Sequence, residues 1–470
     1  MSRLIAISNR VAVPSAGKSS GGLAVGILAA LRQSGGVWFG WGGSTCHGPP
    51  RDAALDRRGD ITYATIDIDE SDFDAYYNGY CNGSLWPLFH YLLGFFRYRR
   101  EEYAAYQRVN ETFVRKLLPL LQPDDRIWVH DYHLIPLARE LRRAGATQPI
   151  GFFLHVPFPG IDVLRTLPGH TELLRALAQY DVVGFQTTQD CENFIGGLRR
   201  AGLGGERRAD RRVEAEGRNV LVDAFPIGID VDEADEQAAK AMQTIAVQRL
   251  AQDVGNRQLV IGVDRLDYSK GLPERFNAYQ TLLERHPAWR QQIVYLQIAS
   301  PTRTGVRAYQ EIRRELEQAA GHINGRFAEP EWTPVRYINR GFSRSMLMGF
   351  FRVARIGLVT PLRDGMNLVA KEYAAAQLSE APGVLVLSKL AGAAAELGDA
   401  AVLVNPYDTV GVADALAAAA EMALEERRER HAAIMQALRR NDIHAWRRRF
   451  VGALEQAGIR ADRAPAGAGR

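Results

Sequence analysis

Arg265 and Lys270 lie in one run, Val263-Asp264-Arg265-Leu266-Asp267-Tyr268-Ser269-Lys270-Gly271-Leu272-Pro273, which follows an apolar strand pattern and precedes a helical one. A guanidinium and an ammonium on one strand-to-helix loop can both reach a diphosphate, and Gly271 lets backbone amides come close to it. Plain ion pairs to Asp264 and Asp267 are the alternative. A second strand, turn and helix follow in Thr360-Pro361-Leu362-Arg363-Asp364-Gly365-Met366-Asn367-Leu368-Val369-Ala370-Lys371-Glu372-Tyr373. The new helix offers free N–H groups and the positive end of its dipole to a phosphate or to sugar hydroxyls. Glu372 stands within reach of a ribose diol, and Asp364 can accept bonds from hexose hydroxyls. Helix capping with a solvated glutamate is the plainer reading of this segment.

Three further strand ends carry polar groups. Residues 126–130 run into Asp131-Tyr132-His133, residues 150–154 run into His155, and residues 4–8 deliver Arg10 to a loop before Gly21-Gly22 opens a helix. Polar groups at the carboxyl ends of neighbouring strands are a site candidate. Gly17-Lys18-Ser19 does not make a phosphate-binding P-loop, because the glycine needed five positions earlier is Ala12. The loop is better read as a flap over a ligand. Asp67-Ile68-Asp69 and Asp230-Val231-Asp232 imitate a metal-binding pair but lie in an acidic surface stretch and a linker, so no metal is expected.

These loops need strands to carry them. Short β-branched runs alternate with helical patterns along the chain, the signature of parallel sheets with crossover helices. The first series is residues 4–8, 37–40, 61–66, 126–130, 150–154, 182–185 and 220–224; the second is 259–264, 293–299, 335–338, 356–360, 384–387 and 401–404. The fold class is α/β, with two Rossmann-like doubly wound domains: 1–235, and 236–442 after a linker at about 228–254. Helices are expected at 412–424, 429–439 and 443–456, and the residues 460–470 read as a disordered tail. Ligands bind at the carboxyl ends of such strands, so the expected site is a cleft between facing domains.

Composition narrows the function. With 470 residues, 46% hydrophobic and 24% charged, the chain exceeds the size of one core and has the make-up of a folded protein. A formal net charge of +4 and basic runs without interleaved aromatics argue against nucleic acid. The three cysteines lack the spacing of a disulfide framework or a zinc site, and no apolar run approaches about 18 residues. A cytoplasmic protein away from the membrane is the expectation.

Taken together the motifs resemble the retaining trehalose-6-phosphate synthases, with their two-domain GT-B architecture. The resemblance runs from Arg3 to about Gln456 through Ser8-Asn9-Arg10, Gly21-Gly22-Leu23-Ala24-Val25-Gly26, Trp38-Phe39-Gly40-Trp41, Tyr76-Tyr77-Asn78, Leu85-Trp86-Pro87 and His130-Asp131-Tyr132-His133-Leu134. It continues through Gly151-Phe152-Phe153-Leu154-His155 and both runs described first. It implies transfer of glucose from UDP-glucose to glucose 6-phosphate, without a metal. Arg265, Lys270 and the amides at Leu368 and Val369 would hold the donor diphosphate, Glu372 the ribose, and the Phe342 segment the uracil, with Ala370 and Lys371 also among the donor-binding residues. His155, Asp364 and the Gly21-Gly22 loop would hold the transferring glucose. Arg10, Tyr77, Trp86, Asp131 and Arg303 would hold glucose 6-phosphate, the two arginines gripping its phosphate. The roles at Asp131, His155, Arg265, Lys270 and Asp364 would be catalytic. The helix 443–456 would return to the first domain. A homo-oligomer is implied, and a separate phosphatase for the product, since no phosphatase domain follows. A relative using another acceptor, such as glycerol 3-phosphate, and a catalytically silent sugar-phosphate sensor are the competing readings.

Overall fold

In the computed structural model, residues 3–13, 22–303 and 306–463 are described, and the chain divides into two compact units. The first comprises Met1–Pro226 with Ile443–Arg470, the second Ile227–Asp442.

Seven parallel strands form the centre of the first unit's sheet. In spatial order they are Ile61–Asp69, Gly36–Cys46, Leu4–Arg10, Arg126–His130, Ile150–Phe153, Val182–Phe185 and Arg218–Ala224. The chain winds outward from Leu4–Arg10 in one direction, returns beside it at Arg126–His130 with Ser8 opposite His130, and winds outward in the other. That reversal opens a crevice at the carboxyl ends of these two strands. Antiparallel strands Ala54–Arg58, Gly204–Arg207 and Arg212–Ala215, which the sequence pattern does not reveal, extend the edges. Helix Ile443–Arg463 lies on this sheet, with Trp446 and Phe450 against Trp128 at 4.9 and 4.7 Å between ring centres. It extends to Arg463, past the point where a disordered tail was expected to begin; residues 464–470 lie outside the described residues.

All six strands of the second sheet are parallel, in the order Val335–Ile338, Ile293–Ser300, Gln258–Arg265, Ile356–Val359, Val384–Ser388 and Val402–Val404. Its reversal falls between Gln258–Arg265 and Ile356–Val359. The expected linker is corrected: residues 231–254 form helices Val231–Ala241 and Ile245–Val254 inside the second unit, burying Val231, Ala234, Ala238 and Val247. Acidic residues there line the solvent face of packed helices, and with no strand pattern among them the stretch read as a link between the two sheets. Among the described residues no helix is long and apolar enough to cross a membrane.

Candidate functional site

At the first unit's reversal Arg10 ends one strand and Asp131 follows the other, with His155 just beyond the next strand, Ile150–Phe153. Asp131 directly follows its strand with φ 75°, a left-handed value unusual outside glycine, costing of order 1–3 kcal/mol. The backbone is pinned there because its N–H donates to the Phe153 carbonyl at 2.8 Å while its carboxylate accepts the His155 N–H at 3.3 Å. His155 packs against Phe153 and Trp446 and shares a 3.2 Å contact with the His130 ring. Burial lowers His155 to about 3 and, with His155 adjacent, pushes His130 far down as well, so both rings are neutral near pH 7. A neutral imidazole at this strand end can exchange hydrogen bonds with an uncharged partner.

Arg10, at the exposed end of its strand, holds its guanidinium 5.4 Å from the Trp41 ring. Gly43, at φ 105°, leaves room for it, since a Cβ there would come within 2.9 Å of Arg10 Nη2. Tyr77 and Trp86 belong to Asp74–Leu85, a wide π-helical segment, and the short helix after it. Tyr77 stacks between Phe73 and His133 at 5.5 and 5.9 Å, while Trp86 is buried against Tyr132 and His90. Gly21 lies outside the described residues, as does most of the flap, 14–20; Gly22 opens helix Gly22–Ser34.

In the second unit Arg265 ends its strand and is exposed, and Asp267 caps the turn Tyr268–Lys270 by accepting from the Ser269 N–H and hydroxyl at 3.0 Å each. Gly271, at φ 65°, takes the left-handed conformation with its would-be Cβ 2.6 Å from the Thr360 carbonyl, so no other residue fits. The closest ion pairs on these carboxylates and on Lys270 come from farther along the chain. Asp264 takes Arg275, Asp267 takes Arg303 at 3.2 Å, and Lys270 reaches across the crevice to Asp364 at 2.5 Å. Burial would raise Asp267, but Arg303, Arg265 and Lys270 outweigh it and hold the carboxyl at about 2.

Beyond Asp364, Asn367 adopts φ 73° and caps helix Leu368–Ala375, its side-chain oxygen accepting the Ala370 N–H at 3.4 Å and its amide donating to Asp364 at 3.0 Å. The amides of Leu368 and Val369 open the first turn, where an α-helix has no carbonyl to offer them. Glu372 is not a solvated glutamate: it accepts from Arg344 at 3.0 Å, and burial pushes its carboxyl up against that cation's pull. Lys371 turns its side chain away from the crevice. Its fully buried ammonium donates to Glu396 at 2.6 Å and to the Ile227 carbonyl at 2.9 Å, so its side chain anchors the helix within the unit. Phe342 precedes helix Arg344–Val353, edge-on to Phe350 at 5.3 Å and below the Arg340 guanidinium at 4.9 Å.

Sequence reasoning missed Arg344, which joins Glu372 to Glu233 at 3.0 Å each. Its partner Glu233 fell in the supposed linker, so nothing marked the triad. The two Asp-x-Asp runs act as helix caps: Asp69 accepts from Ser71 and Asp230 from Glu233, at 2.9 Å each. Among the described residues no three His, Cys, Asp or Glu side chains gather in a way that could hold a metal ion.

The family model described as Glycosyltransferase family 20 matches residues 8–456. A trehalose-6-phosphate synthase from Klebsiella pneumoniae is 49% identical over 469 residues, covering 98% of this chain and 97% of that protein. An alpha,alpha-trehalose-phosphate synthase (UDP-forming) from Burkholderia xenovorans, solved in complex with glucose-6-phosphate, is similar with TM-score 0.93 at 48% identity over 96% of this chain and all of that one (100%). A structure described as trehalose-6-phosphate from E. coli bound with UDP-2-fluoro glucose gives TM-score 0.93 at 47% identity, covering 97% and 99%.

Proposed function

Because the chain belongs to glycosyltransferase family 20, we propose that it is a retaining glucosyltransferase that moves glucose from UDP-glucose to glucose 6-phosphate, giving trehalose 6-phosphate and UDP. Its fold is the two-domain GT-B architecture. The observation that carries the donor half is the second unit's crevice, where Lys270, Arg265 and an open helix N-terminus converge at the reversal of the sheet.

In this reading the donor diphosphate takes Lys270 away from Asp364, Arg265 adds a second cation, and the Leu368 and Val369 amides close the cradle. Released Asp364 accepts from the glucose hydroxyls, and neutral His155 bonds the same sugar. Glu372, held by Arg344, accepts from the ribose diol. The acceptor hydroxyl attacks C1 on the face the diphosphate leaves. The C1–O bond to UDP breaks as the new C1–O bond forms, and the acceptor proton passes to the departing diphosphate oxygen. No carboxylate nucleophile takes part, because Asp131 is engaged in acceptor binding with Arg10, Tyr77, Trp86 and Arg303. Leaving-group charge is met by Arg265 and Lys270, so a divalent metal is not required. The enzyme works in the cytoplasm, where Cys46, Cys81 and Cys191 stay as free thiols. Exposed Leu403, Tyr407 and Val410, beside the edge strand of the second sheet, suit assembly into a homo-oligomer.

Nucleoside diphosphate release, measured for UDP-, ADP- and GDP-glucose against glucose 6-phosphate, glycerol 3-phosphate and glucose, tests this function. The pair UDP-glucose and glucose 6-phosphate should be fastest; a preference for glycerol 3-phosphate, or no release with any pair, would contradict it.

A further inference from the structure

Arg275 lies in the first turn of helix Leu272–Arg285 with its side chain fully buried. Its Nε donates to the Thr360 hydroxyl at 2.9 Å, one Nη to Asp264 and to Gln297 Oε1 at 3.3 Å, and the other Nη to the Lys270 carbonyl at 3.0 Å. Gln297 is fixed in turn by the Tyr295 hydroxyl. One planar group therefore joins strands Gln258–Arg265 and Ile293–Ser300, the residue just after Ile356–Val359, and the turn that carries Lys270. Two of these strands, Gln258–Arg265 and Ile356–Val359, form the reversal of the sheet.

A buried ion pair is a poor source of stability, because desolvating both charges offsets most of their attraction. An apolar side chain of similar volume would fill the space. What it would not supply is direction: the guanidinium fork sets the Lys270 backbone against Thr360 through bonds of fixed geometry. From the other side Leu362 N–H donates to the Ser269 carbonyl at 2.9 Å, so the Lys270 turn is held on both flanks. We propose that Arg275 is a positioning residue for Lys270, holding the leaving-group cation in register with the Asp364 side of the crevice. The proposal rests on the reading of Lys270 as a ligand of the donor diphosphate.

The test uses the full chain with Arg275→Lys, Thr360→Val, Lys270→Ala and the double variant Lys270→Ala/Arg275→Lys. Calorimetric titration with UDP counts competent sites, and turnover is expressed per competent site. A displacement of about 1 Å can cost roughly 100-fold, so Arg275→Lys should lower turnover per site by roughly 10- to 100-fold with the KM for glucose 6-phosphate nearly unchanged. Thr360→Val, which removes one of the four partners, should act in the same sense by a smaller factor, and it carries the test if Arg275→Lys does not fold. In the Lys270→Ala background, Arg275→Lys should add less than about threefold, because the interaction it serves is already gone. Unchanged turnover per site in Arg275→Lys and Thr360→Val, or losses that multiply in the double variant, would overturn the proposal while leaving the donor site intact. Unchanged turnover in Lys270→Ala would overturn the donor reading and the proposal with it.

Discussion

Replacing Arg303 by alanine separates two roles that meet in one side chain. Its guanidinium lies 3.2 Å from Asp267, with side-chain exposures of 4% and 0%. The same guanidinium is proposed to take the acceptor phosphate. One charge-assisted bond to phosphate contributes about 1.5–3 kcal/mol, so kcat/KM for glucose 6-phosphate should fall roughly 10- to 100-fold. Free glucose has no phosphate to lose, so the preference for glucose 6-phosphate over glucose should shrink by that factor while donor KM changes little. A second effect is structural: alanine leaves buried Asp267 with one cation fewer, its carboxyl rises from about 2, and up to about 3–5 kcal/mol of stability is lost. UDP release with both acceptors, assayed on one preparation, removes this complication because the folded fraction cancels in the ratio. If the variant keeps the full preference, Arg303 serves only to hold Asp267, and the acceptor assignment falls.

Arg265→Ala and Lys270→Ala should each lower turnover roughly 30- to 1000-fold, equivalent to about 2–4 kcal/mol, with little change in the KM for glucose 6-phosphate. A loss confined to donor affinity would contradict a role in meeting leaving-group charge. Activity should persist in excess EDTA; full inhibition reversed by magnesium or manganese would show that the two cations do not replace a metal. His155 is held near 3 in the fold against an ordinary value of 6.5, so the unfolded chain binds the extra proton and stability declines as pH falls below 6.5 toward 3. Between pH 6.5 and 4.5 the His155 contribution is about 2–3 kcal/mol. Urea unfolding at the two pH values should therefore show a shallower decline in His155→Gln, and equal declines would mean the ring is already protonated in the fold.

Much of this arrangement is legible in the residues. All six strands of the second sheet lie where apolar runs such as Ile293-Val294-Tyr295-Leu296 put them, and the signal is strongest in the central strands, which are covered on both faces and so apolar nearly throughout. The loops carrying Lys270 and Asp364 were visible because each joins an apolar strand run to a helical one through a turn that contains a glycine, Gly271 or Gly365. Strand Ala54–Arg58, exposed along its whole length, left no apolar signal, and the π-helical segment Asp74–Leu85 hid behind residues that usually make turns. Pairing was least readable. Lys270 has charged neighbours in sequence, yet its partner lies 94 residues away, and only the return of the chain to the centre of the sheet brings Asp364 to it. The partner of Lys371 was equally hidden: its ammonium points inward to Glu396, 25 residues on.

The central claim, transfer of glucose with retention to glucose 6-phosphate, is tested most directly by proton NMR of the product formed from UDP-glucose and glucose 6-phosphate. A disaccharide monophosphate with both anomeric protons showing the small coupling of α linkages is the expected result. A β linkage from the donor sugar, a product without phosphate, or free glucose alone would contradict it.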